Sequence, residues 1–262
     1  MSLTQPPQIT VLRPMYPDND IQGKVRLALG TAFHNEVQNN VVKLKKRIVF
    51  RNSSEGFYLT GTPDMETEWT SVNGKTVSDT ITDIKVTSIY KIKKTIVESN
   101  SLLPINSHNF PYDIDELRKI APNSFDWIYQ LSCYNYLIDE SLDRVGLIIA
   151  VSFDSGNMKI KNTLKTDFNL LNIHPIIFPI IPPRILSVDI KRRWIKLKKM
   201  QGIIDTYSIT NSDRTRWAEI MDESGLRCSK EDTWDGTRCK RYCNLKDVCF
   251  GKEGSPTARW EE

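Results

Sequence analysis

Thr60 to Ser88 reads TGTPDMETEWTSVNGKTVSDTITDIKVTS. Its centre, Asn73-Gly74, is a strong two-residue turn signal, because a type I′ turn needs positive φ at both central positions. A regular hairpin closed by that pair sets opposite each other residues whose numbers sum to 147. Asp64 and Asp83 meet this condition, so they are expected as cross-strand partners on one face, with Cβ atoms about 5 Å apart. Two carboxylates so placed repel each other. A divalent cation between them turns that cost into binding, and oxygen ligands favour Mg²⁺ or Mn²⁺. The second arm alternates, with Ile81, Asp83 and Lys85 on one face and Thr82, Ile84 and Val86 on the other. Lys85 then stands beside Asp83, where an ammonium can stabilise developing negative charge or position a nucleophilic water. An ordinary surface hairpin with a salt bridge is the competing reading, and a β-bulge in so long an arm would break the register.

Two helices flank this segment in the sequence. Residues 20–44, DIQGKVRLALGTAFHNEVQNNVVKL, repeat apolar Val25, Leu29, Phe33, Val37, Val41 and Leu44 near helical spacing, and Asp18 or Asp20 can cap the start. Gly30 and His34 are four apart on one face of that helix. A helical glycine costs about 1 kcal/mol against alanine, so Gly30 is expected to mark a close approach, with His34 offering an imidazole to a metal. Glu36 points away from that face. The second helix is signalled at Asn123–Glu140, NSFDWIYQLSCYNYLIDE, with Pro122 before it and Asn123 or Ser124 as cap. Gln130 and Tyr134 share a face there and can bind a phosphate or orient a substrate. Alternatively Tyr134 belongs with Trp127, Leu131 and Ile138 in a core stripe.

Taken in order, GTAFHNE, GTPD, DIK and QLSCY resemble the RecB-like branch of the PD-(D/E)XK nucleases. That pattern runs from a helix with histidine, through a strand with aspartate and a strand with D/E-x-K, to a helix with Q-x-x-x-Y. The resemblance spans Gly30 to Tyr134. It implies an α/β fold, a restriction-endonuclease-like central mixed sheet flanked by helices. It further implies that His34, Asp64, Asp83 and the backbone carbonyl of Ile84 bind the catalytic Mg²⁺ or Mn²⁺, that Lys85 is the catalytic lysine, and that Gln130 and Tyr134 complete the site. The implied activity is metal-dependent hydrolysis of DNA phosphodiester bonds, as an exonuclease or single-strand-cleaving enzyme in DNA processing or recombination. A non-catalytic DNA-binding scaffold or accessory subunit is the alternative.

Cys228, Cys239, Cys243 and Cys249 form C-x10-C-x3-C-x5-C within 22 residues. Four thiolates so close can bind Zn²⁺ or an iron–sulfur cluster. The resemblance favours iron, because a subset of RecB-like nucleases, including a CRISPR-adaptation branch, staples its C-terminus with a [4Fe–4S] cluster. In that subset the first cysteine usually precedes the nuclease motifs, whereas Cys228 follows them, which leaves zinc open and Cys133 as an alternative ligand. Cys133 is otherwise read as a small buried core residue.

The chain has 262 residues, 39% hydrophobic and 26% charged, with a formal charge of +4, as suits a soluble globular protein. Its basic residues are clustered. KRRWIKLKK at Lys191–Lys199 holds six cations in nine positions, and KLKKRIVFR at Lys43–Arg51 and KIKK at Lys91–Lys94 repeat the theme. Such runs suit a phosphate backbone, and Lys191, Arg192, Arg193 and Lys196 are the expected DNA contacts; a solvated helix face is the plainer reading. There is no apolar N-terminal signal core, and prolines break IHPIIFPIIPPRIL, so a cytoplasmic protein without a membrane span is expected. Further along, Val145–Phe153 reads as a buried strand, Asp154–Asn157 as a turn, Met158–Leu164 as a strand and Pro175–Pro183 as an irregular connector. Ser187 to about Tyr207 reads as a long helix with apolar Val188, Ile195, Met200 and Ile203, and a helical piece follows near Asp213–Glu223. The expected organisation is a nuclease core at 1–185, then a basic helix and cysteine-stapled metal-cluster lobe at 186–262.

Overall fold

A computed structural model of the chain describes Ala28, residues 30–32, 48–52, 57–61, 63–70, 76–102, 110, 112–138, 145–152 and 173–207. His34, Cys228, Cys239, Cys243 and Cys249 lie outside them, as do Glu36, the Asn73-Gly74 turn, the 154–157 turn, the 158–164 strand and the 213–223 helix. Residues 28 and 30–32 are helical, as expected.

The elements run β1 (Ile48–Asn52), β2 (Phe57–Gly61), β3 (Met65–Thr70), β4 (Thr76–Thr87), α1 (Ile89–Leu102), α2 (Ile114–Ile120), α3 (Phe125–Ile138), β5 (Val145–Ser152), β6 (Ile173–Pro179) and α4 (Pro183–Tyr207). The architecture is mixed α/β: an antiparallel β1-β2 pair and a four-stranded mixed sheet ordered β3-β4-β5-β6. β4 and β5 are parallel, while β3 and β6 run antiparallel to their neighbours. A parallel pair needs a long crossover, and α1, α2 and α3 supply it. The chain divides into two compact units, Ile21–Leu186 and Met1–Asp20 with Ser187–Glu262. Among the described residues no helix is long and apolar enough to cross a membrane.

The β3–β4 hairpin forms with a register that differs from a uniform count. Met65 faces Thr82, Glu66 faces Ile81 and Thr67 faces Thr80, all summing to 147, but Trp69 faces Val77 and Thr70 faces Thr76, summing to 146. Ser78 and Asp79 of β4 therefore oppose Glu68 alone, which is a β-bulge with the extra residue in β4. The Trp69–Val77 and Thr70–Thr76 pairs are thus one short of the sum that a count from Asn73-Gly74 predicts. The bulge restores the predicted register only on the side facing Asp64 and Asp83.

Both faces of the sheet centre are covered. On one face of β4 and β5, Ile81, Gly146, Ile148 and Ala150 are buried; on the other, Thr82, Ile84 and Leu147 are. Helix α3 lies on the first of these. A Cβ on Gly146 would stand 2.7 Å from Leu131 Cδ1, so the glycine is what lets α3 approach this closely. Gly146→Ala is expected to lower the unfolding free energy by about 1–3 kcal/mol, as overpacked cores do, read by urea denaturation. An unchanged midpoint would mean that α3 can shift without cost.

Two connections differ from the sequence reading. Ile89–Leu102, of which only the KIKK run stood out, is a helix capped by Ser88: the Ser88 carbonyl accepts from Ile92 N at 3.1 Å and its Oγ from Lys91 N at 3.3 Å. Its buried positions Ile89, Ile92, Thr95, Ser99 and Leu102 follow helical spacing. The 175–183 segment is not an irregular connector, because Ile173–Pro179 is the edge strand β6. Pro175 and Pro179 share a parity with Ile177, whose carbonyl turns away from β5 and accepts from Ser99 Oγ of α1 at 2.6 Å. The prolines thus place their missing N–H groups on the outer side of the edge, where no ladder bond is lost.

Helix α3 spans Phe125–Ile138, within the predicted Asn123–Glu140, but its N-terminus is held by another element. Glu98 of α1 accepts from Asn123 N at 3.1 Å and Asn123 Nδ2 at 2.5 Å through one oxygen, and from Ser124 Oγ at 2.5 Å through the other. A carboxylate at a helix N-terminus is favourable, and this one ties α1 to the start of α3.

In α4 the buried stripe is Leu186, Ile190, Leu197 and Met200, with Asp189 and Arg193. Val188 and Ile195, expected on the apolar face, are exposed. They are seven apart, hence on one side of the helix, and that side is the outer one.

Candidate active site

The geometry begins at Pro63-Asp64. Ile84 N donates to Asp64 Oδ2 at 2.8 Å, so the amide of Ile84 faces the β3 side of β4. Within a strand the N–H and C=O of any one residue point to the same side, so the Ile84 carbonyl faces that side too. Continuing the 147 register by two residues from Met65–Thr82 would set residue 63 opposite Ile84. Residue 63 is proline and has no N–H to donate. The ladder ends here for that reason, and the Asp64 carboxylate takes the amide a ladder carbonyl would otherwise hold. Asp64 is 7% exposed and Asp83 3%.

Across the face covered by α3, four side chains distant in sequence form one network. Lys85 Nζ meets Asp83 Oδ2 at 2.5 Å and donates to Gln130 Oε1 at 2.8 Å. Gln130 Nε2 donates to Tyr134 Oη at 2.6 Å and more weakly to Asp83 Oδ1 at 3.3 Å. Gln130 and Tyr134 meet because four residues is about one helical turn. The Tyr134 ring in turn lies against β2, where a Cβ on Gly61 would stand 2.8 Å from Tyr134 Cε1. Glycine at the head of Gly61-Thr62-Pro63-Asp64 therefore makes room for the ring. Trp127 and Leu131 are core residues, whereas Tyr134 combines a half-buried ring with a bonded hydroxyl.

Burial pushes the Tyr134 phenol well above its ordinary 10.0, the Asp83 charge pushes it further, the Gln130 bond opposes this, and Asp64 adds a smaller push upward. Both aspartate charges thus act on one phenol. Because the folded state holds this proton more tightly than the unfolded chain, the stabilisation is complete below pH 10.0 and is lost as pH rises above it. Tyr134→Phe is expected to flatten the alkaline fall in unfolding free energy relative to wild type. Parallel alkaline limbs in the two proteins would show that this phenol carries no such linkage.

The two buried carboxylates and the Ile84 carbonyl are all hard oxygen groups of the kind that suit Mg²⁺ or Mn²⁺. With Lys85 the formal charge is one negative in excess, which also favours a cation. Among the described residues no group of three or more His, Cys, Asp or Glu side chains could hold a metal ion; the oxygen set here contains two, and His34 is outside it.

Gly30 lies in the described part of its helix. It is half-exposed, and no described atom lies within 4 Å of where its Cβ would be. Cys133 is buried and in no disulfide, as read. Of the basic residues expected to meet DNA, Lys191 and Lys196 are exposed. Arg192 Nη2 and Arg193 Nε both donate to Asp189, at 2.6 and 2.7 Å, and Arg193 is buried. Arg193 is thus committed to an ion pair inside the helix surface rather than presented to a phosphate. Glu98 at the start of α3 has no counterpart in the sequence reading, Lys91 stood there only within the basic KIKK run, and Trp127 only in a core stripe. The apolar spacing through Ile89, Ile92 and Ile96 was the available signal for the first two.

Comparison with protein-family models, curated proteins and solved structures finds no match to this chain.

Proposed function

We propose that the protein is a metal-dependent DNA nuclease of the RecB-like PD-(D/E)XK kind, with a restriction-endonuclease-like core, acting as an exonuclease or on single strands in DNA processing or recombination. The observation that carries this reading is the Gln130 bridge: one side chain contacts Asp83, Lys85 and Tyr134. A surface hairpin with a salt bridge has no use for a buried acid, a lysine and a helix-borne Gln–Tyr pair meeting at one point, with a second buried acid bonded to the neighbouring Ile84 amide.

Asp64, Asp83 and the Ile84 carbonyl would hold Mg²⁺ or Mn²⁺, with His34 as the fourth group by resemblance. When bound, the cation supplies Lewis acidity toward the phosphate and lowers the pKa of water. Lys85 then faces the place where phosphate charge grows and offers it an ammonium that is already oriented by Gln130. Gln130 fixes Lys85 and Asp83 in one arrangement, so little reorganisation accompanies the reaction. Tyr134 stays a neutral donor. Beyond the core, we assign Cys228, Cys239, Cys243 and Cys249 to a [4Fe–4S] cluster with zinc as the alternative, and Lys191, Arg192 and Lys196 to flanking phosphates.

The test is cleavage of end-labelled single- and double-stranded DNA by the full chain with Mg²⁺, with Mn²⁺ and with a chelator. Metal-dependent product is expected. DNA binding without cleavage under every condition would favour the scaffold reading, and absence of both would overturn the proposal.

A further inference from the structure

The network continues beyond Lys85 toward the start of α3. Lys91 lies in the first turn of α1, and its Nζ stands 4.7 Å from the centre of the Trp127 ring. Trp127 precedes Gln130 by three residues on α3, so the two lie on neighbouring positions of one helix face. Gln130 in turn bonds Lys85 and Asp83, so one face of α3 carries both the ring under Lys91 and the amide that holds the cluster. Among the described residues Lys91 Nζ has no hydrogen bond or ion pair at contact distance. Asp126 and Glu98 attract it only from farther away, and both Glu98 oxygens already serve Asn123 and Ser124. Burial pushes its pKa down, so the site holds a cation at a cost that the ring face offsets in part. The three N–H donors of this one ammonium thus have an aromatic face behind them.

We infer that Lys91, backed by Trp127, binds a backbone phosphate adjacent to the one cleaved, on the side of the cluster nearest the start of α3. This rests on the nuclease reading above. A lysine is a point charge suited to a phosphate oxygen and carries no base preference. Trp127 is buried, so its ring serves the lysine and is not free to stack on a base. The contact therefore strengthens binding to any sequence and acts on substrate affinity, not on the chemical step.

Lys91→Met keeps the stem over the ring and removes the charge; Lys91→Gln is the second neutral variant should Met perturb folding, and Lys91→Arg keeps the charge. Affinity for a labelled oligonucleotide is measured across a salt series in the Asp83→Asn background, and steady-state cleavage in the otherwise wild-type chain. The neutral variants are expected to reduce the slope of log Kd against log salt by about 0.7–0.9, the loss of one phosphate contact. KM should rise about ten-fold, as for one charged hydrogen bond, with kcat within about two-fold, and Arg should restore both. A folded neutral variant with unchanged slope and KM, or with a fall confined to kcat, overturns the Lys91 assignment while the nuclease reading stands. A wild-type chain that neither binds nor cleaves DNA overturns both.

Discussion

Asp83→Asn is expected to abolish phosphodiester cleavage, by at least about a thousand-fold, while the protein stays folded and binds DNA as tightly as wild type. The loss corresponds to about 4 kcal/mol of transition-state stabilisation, the scale of a lost Lewis-acid or charged contact. The substitution changes almost no volume. Its amide oxygen can still accept from Gln130 Nε2, which reaches Asp83 Oδ1 at 3.3 Å in the wild type. What disappears is one of two buried negative charges, and with it the surplus that calls for a cation. A DNA phosphate then meets less repulsion at the site, so affinity should hold or improve. Cleavage in Mn²⁺, binding by anisotropy and a thermal melt together separate this outcome from misfolding. Cleavage at the wild-type rate would remove Asp83 from the chemistry and leave the cluster a structural one.

The sequence made this site legible through side-chain spacing, and less so through backbone continuity. The hairpin register at Met65–Thr82 came out as counted from Asn73-Gly74, but for a compensated reason: the pairs nearest the turn are one short and the β4 bulge adds the residue back. A bulge leaves no obligatory residue type, so period-two counting cannot find it. Gln130 and Tyr134 were readable because helical spacing is rigid once a helix is granted. The edge strand β6 was hidden by its prolines, whose acceptability depends on which side of the strand lacks a neighbour, a tertiary fact. Helix α1 was hidden by lysines interleaved with its apolar stripe. In α4, composition marked the basic helix, yet only the fold could show that Asp189 withdraws Arg193 and that Val188 and Ile195 face outward.

Lys85→Met should separate the electrostatic role of the lysine from its chemical one. In the wild type its ammonium meets Asp83 at 2.5 Å and Gln130 at 2.8 Å. Removing it leaves Asp83 and Asp64 buried with two formal negative charges and no cation between the strands. Breaking a buried pair from one side costs about 3–5 kcal/mol, because the remaining charge is stranded. A large fall in Tm is therefore expected without divalent metal. Mn²⁺ then has more to offset in the variant than in the wild type, since any ligand that binds only the folded state stabilises it by mass action. The metal-induced rise in Tm should be larger for Lys85→Met than for wild type, and largely absent in Asp83→Asn. Adding Asp83→Asn to Lys85→Met should recover most of the lost stability, as removing both partners of a buried pair does. Cleavage by Lys85→Met should stay at least about a hundred-fold down even at saturating Mn²⁺, because the positioned ammonium has no substitute in the transition state. A variant whose melting is indifferent to Mn²⁺ and whose stability is unchanged by the second substitution would mean that the carboxylates do not share a cation, and the nuclease assignment would lose its physical basis.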